Sequence, residues 1–481
     1  MKMNARKLFV QRIGLVGITN LLLELSNIIL LPILTKSLAV NEYGIWVQIV
    51  VTVSFVPAIA MMGLPYSLVR FLSSAKEREA IQEIFYSIAF TILITTSFAS
   101  LLILLFSNQV AYYLFEGKVV LVKLLSLIVF FDCFNGLFLN YFRSFNQIKK
   151  YSLFSFMRVF LNISLAIYLI QLGYGILGAV SALLIAVSLE FVLMAPIIVS
   201  QIGVKIPRFQ NIKTYLSFGI PTVIGSISSG VVNASDRYLI GIFLGAAYVG
   251  FYSPGYTLGN IIIMLVSPLS FLLPVILSKH YDEGNIDEVK SILSYSLKYF
   301  LAIAIPSAVG LTILSKPILS FISTPLIASQ GYLITPFTAI SAILFGSYAI
   351  ISQILVLEKK TTIPGAIWVI AAALNFGLNL LLIPSSGIIG AAVTTLLAYA
   401  LAFVLTAYYS KKYLTFQMDY YFVLKSILAS AIISSLLIIA NPSEKTSIFM
   451  AVIACAFLYF LILHILKSFK PEEIAFIKSF F

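Results

Sequence analysis

Charge is what this sequence has least of. Charged residues make up 10% of its 481 positions, against about 25% in ordinary soluble domains. A soluble fold could not hide the 60% that is hydrophobic, because much of any domain borders water. Water-soluble enzymes, nucleic-acid modules, coiled coils and disordered tails therefore fit poorly. Cysteine is nearly absent: Cys133 and Cys455 lie far apart in apolar stretches, which gives neither a disulfide framework nor metal-ligand spacing. His280 and His464 have no Cys, Asp or Glu partner at ligand spacing. No phosphate-binding glycine loop with lysine is found, so ATP hydrolysis and resident cofactors are not expected. No hydrophilic segment is long enough for a catalytic domain. Strict polar–apolar alternation is missing too, which argues against a β-barrel.

Long apolar runs take their place. A membrane-crossing helix needs about 20 mostly apolar residues. Such runs fall at 13–35, 44–69, 84–106, 121–142, 151–171, 176–200, 214–238, 247–277, 291–314, 328–357, 361–383, 387–410, 420–440 and 447–467. Two long charge-free stretches are divided by turn signals, at Pro384-Ser385-Ser386-Gly387 and near Gly245. The fold class expected is an all-α polytopic membrane protein with 14 transmembrane helices. The basic start (Lys2, Arg6, Lys7, Arg12) runs into the first span without a small-residue cleavage site and reads as a retained helix.

The net charge of +13 is distributed as topology requires. With the amino terminus inside, the even-numbered loops hold most of the cations: Arg70, Lys76 and Arg78; Arg143, Lys149 and Lys150; Lys205, Arg208 and Lys213; Lys279 and Lys290; Lys359 and Lys360; Lys411 and Lys412. The tail adds Lys467, Lys470 and Lys478, whereas the odd-numbered loops offer Lys36, Lys118, Lys123, Lys316 and Lys445. By the positive-inside rule both ends are cytoplasmic. The basic residues thus answer to a bilayer, and no nucleic-acid partner is expected.

The two halves repeat. Residues 34–46 line up with 240–252, Gly175–Ala179 with Gly387–Ala391, and Ile148-Lys149-Lys150 with Glu358-Lys359-Lys360, in the same order. The expected organisation is an N-terminal six-helix bundle (1–205), a C-terminal six-helix bundle (206–412), and helices 13 and 14 with a cytoplasmic tail (413–481). Six is even, so the repeats are parallel and meet around a central cleft suited to alternating access.

Polar residues inside spans are costly and mark candidate sites. Asn20, Glu24 and Asn27 share one face of helix 1; Ser226, Ser229, Asn233 and Asp236 share one face of helix 7, with Arg237 beside it. Both stripes are candidates to line the cleft, the alternative being that they hold helix to helix. Asp236 and Arg237 point about 100° apart, a poor geometry for pairing with each other. Asp132 and Glu190 read as structurally paired acids. Arg143 and Arg158 read as residues near the cytoplasmic surface, either snorkelling there or capturing phosphate at an inner mouth.

The pattern Pro221…Ser226…Ser229…Asp236-Arg237-Tyr238-Leu239-Ile240-Gly241, followed by Gly250-Phe251-Tyr252, resembles the polysaccharide-biosynthesis flippases. So do Asn146–Lys150 after helix 4 and Gly175–Ala179 opening helix 6. These transporters belong to the multidrug, oligosaccharidyl-lipid and polysaccharide exporter superfamily. The resemblance implies a flippase, not an enzyme, that moves a polyprenyl-diphosphate-linked oligosaccharide from the inner to the outer leaflet of the cell membrane. It implies polysaccharide-assembly proteins as partners and a monomeric transporter. Few cations occupy the central helices, so Arg237 would carry much of the diphosphate's charge. Glu24 would couple the cycle to H⁺ or Na⁺. The competing readings are a cation-coupled multidrug exporter, a lipid II flippase, and a membrane-embedded glycan polymerase or ligase. The last would need a large, charged external loop, and residues 107–120 contain only Glu116 and Lys118 as charges.

Overall fold

The computed structural model describes residues 28–442 and 444–469, with Thr19, Leu23, Leu25 and Ser26 before them. Asn20, Glu24, Asn27, the basic amino-terminal residues and the tail lysines Lys470 and Lys478 lie outside the described residues. Among the described residues the secondary structure is entirely helical. Ten helices among the described residues are long and apolar enough to cross a membrane, or eleven if the bent pair Ala246–Leu265 and Ser267–Asp282 is one span.

The chain forms two compact units, Met1–Gly250 and Phe251–Phe481. The first contains α1 (Ile28–Ser37), α2 (Val40–Ala60), α3 (Leu64–Leu72), α4 (Arg78–Leu105), α5 (Ser107–Leu114), α6 (Val119–Ser144), α7 (Ile148–Leu169), α8 (Gly175–Ile202) and α9 (Ile212–Leu244). One π-helical turn, Ile170–Tyr174, joins α7 to α8. Continuous helix from 148 to 202 would exceed any bilayer, at 1.5 Å per residue against about 30 Å of hydrocarbon. The chain breaks instead at Gly173, where φ is 89°, a conformation glycine adopts without a Cβ clash, and α7 and α8 pack side by side. The core of this unit runs through α2, α4, α6 and α8, with Ile45, Ile49, Ile88, Val129, Leu137 and Val187 sealed from solvent.

The C-terminal end of α8 is closed by α4. Arg78 Nε and Gln82 Nε2 donate to the Ile202 carbonyl at 3.2 and 2.6 Å, and the Tyr86 hydroxyl donates to the Gly203 carbonyl at 2.5 Å. These side chains satisfy carbonyls that a helix end leaves without partners. Downstream, the Arg208 amide donates to the Glu83 carboxylate at 2.9 Å, so the segment leading to α9 is strapped along α4.

Helix α9 packs on α2 and α3. Gly63, at φ 71°, lies so close to Gly219 that a side chain on either would meet the other's backbone. Ser67 Oγ donates to the Tyr215 carbonyl at 2.6 Å, the Thr52 and Tyr238 hydroxyls are 2.7 Å apart, and Gly44 abuts the Ala246 carbonyl. These contacts place the seventh apolar run with the first unit.

The second unit contains most of α10 (Ala246–Asn260), then α11 (Ser267–Asp282), α12 (Ile286–Ile322), α13 (Pro325–Gly331), α14 (Ile334–Ile351), α15 (Gln353–Leu357), α16 (Thr362–Ser410), α17 (Tyr420–Ala440) and α18 (Lys445–Ile465). A 3₁₀ turn, Ile261–Leu265, precedes α11. Helix α16 is broken at Gly387 (φ 62°, ψ −145°), and Gly390 sits against the Leu382 carbonyl, where no side chain would fit. Helix α17 starts at Asp419, whose carboxylate accepts from the Phe422 amide at 2.9 Å. A reciprocal capping pair of Glu444 and Ser447 opens α18. Both α17 and α18 pack on α12.

Candidate functional site

Ser226, Ser229 and Asn233 lie on one face of α9 and are partly or fully accessible. Each bonds back into its own helix: Ser226 Oγ to the Thr222 carbonyl at 3.1 Å, Ser229 Oγ to the Ser226 carbonyl at 3.1 Å, and Asn233 Nδ2 to the Ser229 carbonyl at 2.8 Å. One turn on, Asp236 is sealed from solvent and Arg237 is 6% exposed. The two do pair with each other, contrary to the geometry expected of neighbours: Arg237 Nη1 is 2.9 Å from Asp236 Oδ1 and also donates to the Asn233 carbonyl at 2.5 Å. An arginine side chain is long enough to fold back along its helix toward the amino-terminal end, which overrides the 100° between the two Cβ directions.

A second polar centre lies in the first unit. Arg158 Nη1 is 2.6 Å from Asp132 Oδ1 and 3.7 Å from Glu190 Oε2. The three residues come from α7, α6 and α8. Arg158 lies halfway along α7, not near an end as its sequence position suggested, and two carboxyls hold it there. Arg143 does occupy a helix end, in the last turn of α6, with Nη1 3.2 Å from Asn140 Oδ1. Beside the Arg158 cluster opens a cavity of about 270 Å³, lined by Ser26, Trp46, Tyr151, Ser155, Asn162 and Glu190 among others. Asn162 escaped sequence reasoning. Its signal was the spacing Ser155, Arg158, Asn162, which puts three polar groups on one face of α7.

In the second unit, Thr394 Oγ1 donates to Asn379 Oδ1, and Asn379 Nδ2 donates to Asn375 Oδ1 at 3.2 Å, all three buried. This relay joins the two arms of α16. A larger cavity, about 320 Å³, is apolar and lies between α12, α17, α18 and the 3₁₀ turn, with Pro306, Gly310, Leu437, Cys455 and Phe460 on its wall. Among the described residues no group of three or more His, Cys, Asp or Glu could hold a metal ion.

Many apolar spans with polar groups paired inside them define a multi-span helical membrane protein. Its fold is that of a solved lipid II flippase MurJ in an inward closed conformation, with a TM-score of 0.77 over 93% of this chain and 98% of that one at 17% identity. The polysaccharide biosynthesis protein family matches residues 9–280 and MatE matches residues 221–381; the chain belongs to the polysaccharide biosynthesis protein family. Among curated relatives, a probable low-salt glycan biosynthesis flippase, Agl15, of Haloferax volcanii is 26% identical over 45% of this chain and 46% of its own length. An uncharacterized membrane protein, MJ1068, of Methanocaldococcus jannaschii is 24% identical over 78% of each chain. The chain thus spans about half the length of the glycan flippase it matches.

Proposed function

We propose that this protein is a flippase, not an enzyme, that carries a polyprenyl-diphosphate-linked oligosaccharide from the inner to the outer leaflet by alternating access. The observation that carries the reading is family membership across the first half of the chain, including the polar stripe of α9. Physical chemistry supports it. A diphosphate and a set of hydroxyls cannot cross hydrocarbon unaided. Arg237 offers a guanidinium for phosphate, and Ser226, Ser229 and Asn233 offer hydrogen-bonding groups for sugar. The apolar cavity between α12, α17 and α18 suits the lipid tail.

The full proposal has fourteen spans, as two parallel six-helix repeats and an extra pair. The 55-residue stretch Ile148–Ile202 and the 49-residue stretch Thr362–Ser410 each divide at a glycine into two spans, and the bent α10–α11 pair and the first apolar run supply the remainder. Asn20, Glu24, Asn27, Asp236 and Arg237 line the cleft with the α9 stripe, Arg143 captures phosphate at the inner mouth, and Glu24 couples the cycle to H⁺ or Na⁺. The protein acts as a monomer in the cytoplasmic membrane, both ends inside, beside polysaccharide-assembly proteins. The MatE match over 221–381 supports a second reading, a cation-coupled drug exporter. Purified protein in vesicles decides between them. The flippase exposes the headgroup of a supplied polyprenyl-diphosphate oligosaccharide to an external glycosidase; an exporter moves cationic drugs and leaves that headgroup protected.

A further inference from the structure

The cluster around Arg158 contains one cation and two carboxyls. Asp132 takes the short contact, at 2.6 Å, and Glu190 the long one, at 3.7 Å. The Glu190 side chain has no solvent exposure, and neither of its oxygens has a hydrogen-bond partner among the described residues. It lines the 270 Å³ cavity, where the Asn162 side-chain oxygen is also without a partner. One guanidinium neutralises one carboxylate. A second ionised carboxylate would leave a net negative charge in the middle of a span, which membrane interiors disfavour strongly.

The other groups around Glu190 do not balance that charge. From α6 comes Asp132, and from α7 come Arg158 and Tyr151. Helix α2 contributes Trp46, Val50, Val53 and Ser54 to the cavity, and the described part of the first helix contributes Leu23, Ser26 and Leu30, none of them ionisable. The ionisable residues of α4, Arg78, Glu79, Glu83 and Tyr86, gather at the far end, around Ile202–Arg208. A metal cation is disfavoured because the guanidinium already lies within 4.0 Å of both carboxyls. A proton needs one oxygen. Ser26, Ser54, Tyr151, Ser155 and Asn162 put polar groups on an otherwise apolar wall, and the cavity has room for several waters at ~30 Å³ each, so a proton has a route to and from Glu190.

We propose that Glu190 is an exchangeable proton site of the first unit. In the loaded state the proton sits on a Glu190 oxygen and Arg158 serves Asp132. On unloading, the proton passes to water in the cavity, and Arg158 is shared between two carboxylates. Accessibility of the cavity then sets which side of the membrane the proton comes from. This site is defined without Glu24 and stands whatever the protein transports.

Infrared titration of the full chain in lipid nanodiscs tests it without any substrate. At neutral pH the wild type should show the carbonyl stretch of a buried protonated carboxylic acid, and alkaline titration should remove it. Glu190→Gln should lack that band, and the surface variant Glu283→Gln should keep it. Asp132→Asn leaves one carboxyl for one guanidinium, so it too should lose the band. No titrating band in the wild type, or a band that persists in Glu190→Gln, overturns the proposal. Should the Gln variant fail to fold, the wild type and Asp132→Asn decide: a band unchanged in Asp132→Asn overturns it.

Discussion

A buried cation with two acidic neighbours responds to the loss of one partner in a way that depends on which partner goes. Removing Arg158 leaves two carboxyls facing each other in apolar surroundings. Breaking a buried ion pair from one side costs about 3–5 kcal/mol, so Arg158→Met should unfold at distinctly lower temperature in detergent. The double variant Arg158→Met with Asp132→Asn should recover part of the loss, because the carboxylate that Arg158 served goes with it. Equal unfolding temperatures for the single and double variants would show that Asp132 carries no uncompensated charge once Arg158 is gone. Arg237 makes a different prediction, on rate. If its guanidinium meets diphosphate, Arg237→Ala should slow headgroup exposure roughly 10- to 100-fold, the equivalent of about 1.5–3 kcal/mol for a charged hydrogen bond, and Arg237→Lys should restore some of it. A lysine variant as slow as alanine, at unchanged thermal stability, would point to the Asp236 and Asn233 contacts as Arg237's whole role. The sequence announced Asp236 and Arg237 by adjacency within one helix. It could not announce that Arg158, Asp132 and Glu190 converge, since each belongs to a different span and no spacing code links them.

At the scale of helices, breaks written in glycine and proline were legible and breaks within apolar sequence were not. Pro384-Ser385-Ser386-Gly387 marked the division of α16 at Gly387, and the turn near Gly245 stands at φ 96°. The run 420–440 coincides with α17, because an acidic cap precedes a mostly apolar stretch whose one charge is Lys425. The 3₁₀ turn Ile261–Leu265 had no such signal, since five apolar residues continue the hydropathy of α10, whereas the 45° bend after it has Pro268 in the first turn of α11. Nor could periodicity show that α9 belongs spatially with α2 and α3, since that depends on backbone approach at Gly44, Gly63 and Gly219. Gly387 gives an element-scale prediction. Its φ of 62° with ψ of −145° is a region open essentially to glycine alone, and a Cβ there costs on the order of 1–3 kcal/mol. Gly387→Ala should lower the unfolding temperature. Gly310→Ala, where a Cβ meets open space, carries no clash and should change it far less. Equal effects would mean that the break in α16 is held by its packing rather than by its backbone.

For the whole molecule, the span count and the orientation are one claim. The basic clusters Lys149-Lys150, Lys359-Lys360 and Lys411-Lys412 face the same side only if an even number of crossings separates each from the next. Residues 150 to 359 must then contain six crossings, the fifth to tenth apolar runs, and the breaks at Gly173, Gly245 and Gly387 must be true reversals on the opposite side. Single cysteines placed in a cysteine-free background make this measurable. Glu116, Lys316 and Lys445 should react with a membrane-impermeant maleimide in intact cells, because the odd loops that hold them carry few cations. Lys149, Lys359 and Lys412 should react only after the membrane is opened. The decisive position is Ser386, beside the break in α16. Labelling there in intact cells means that Thr362–Ser410 crosses twice and that Lys359 and Lys412 share the inner side. Protection of Ser386 together with labelling of Lys412 would put the last two helices in the opposite orientation and rule out the proposed parallel repeat, and with it the cleft that the proposed alternating access needs.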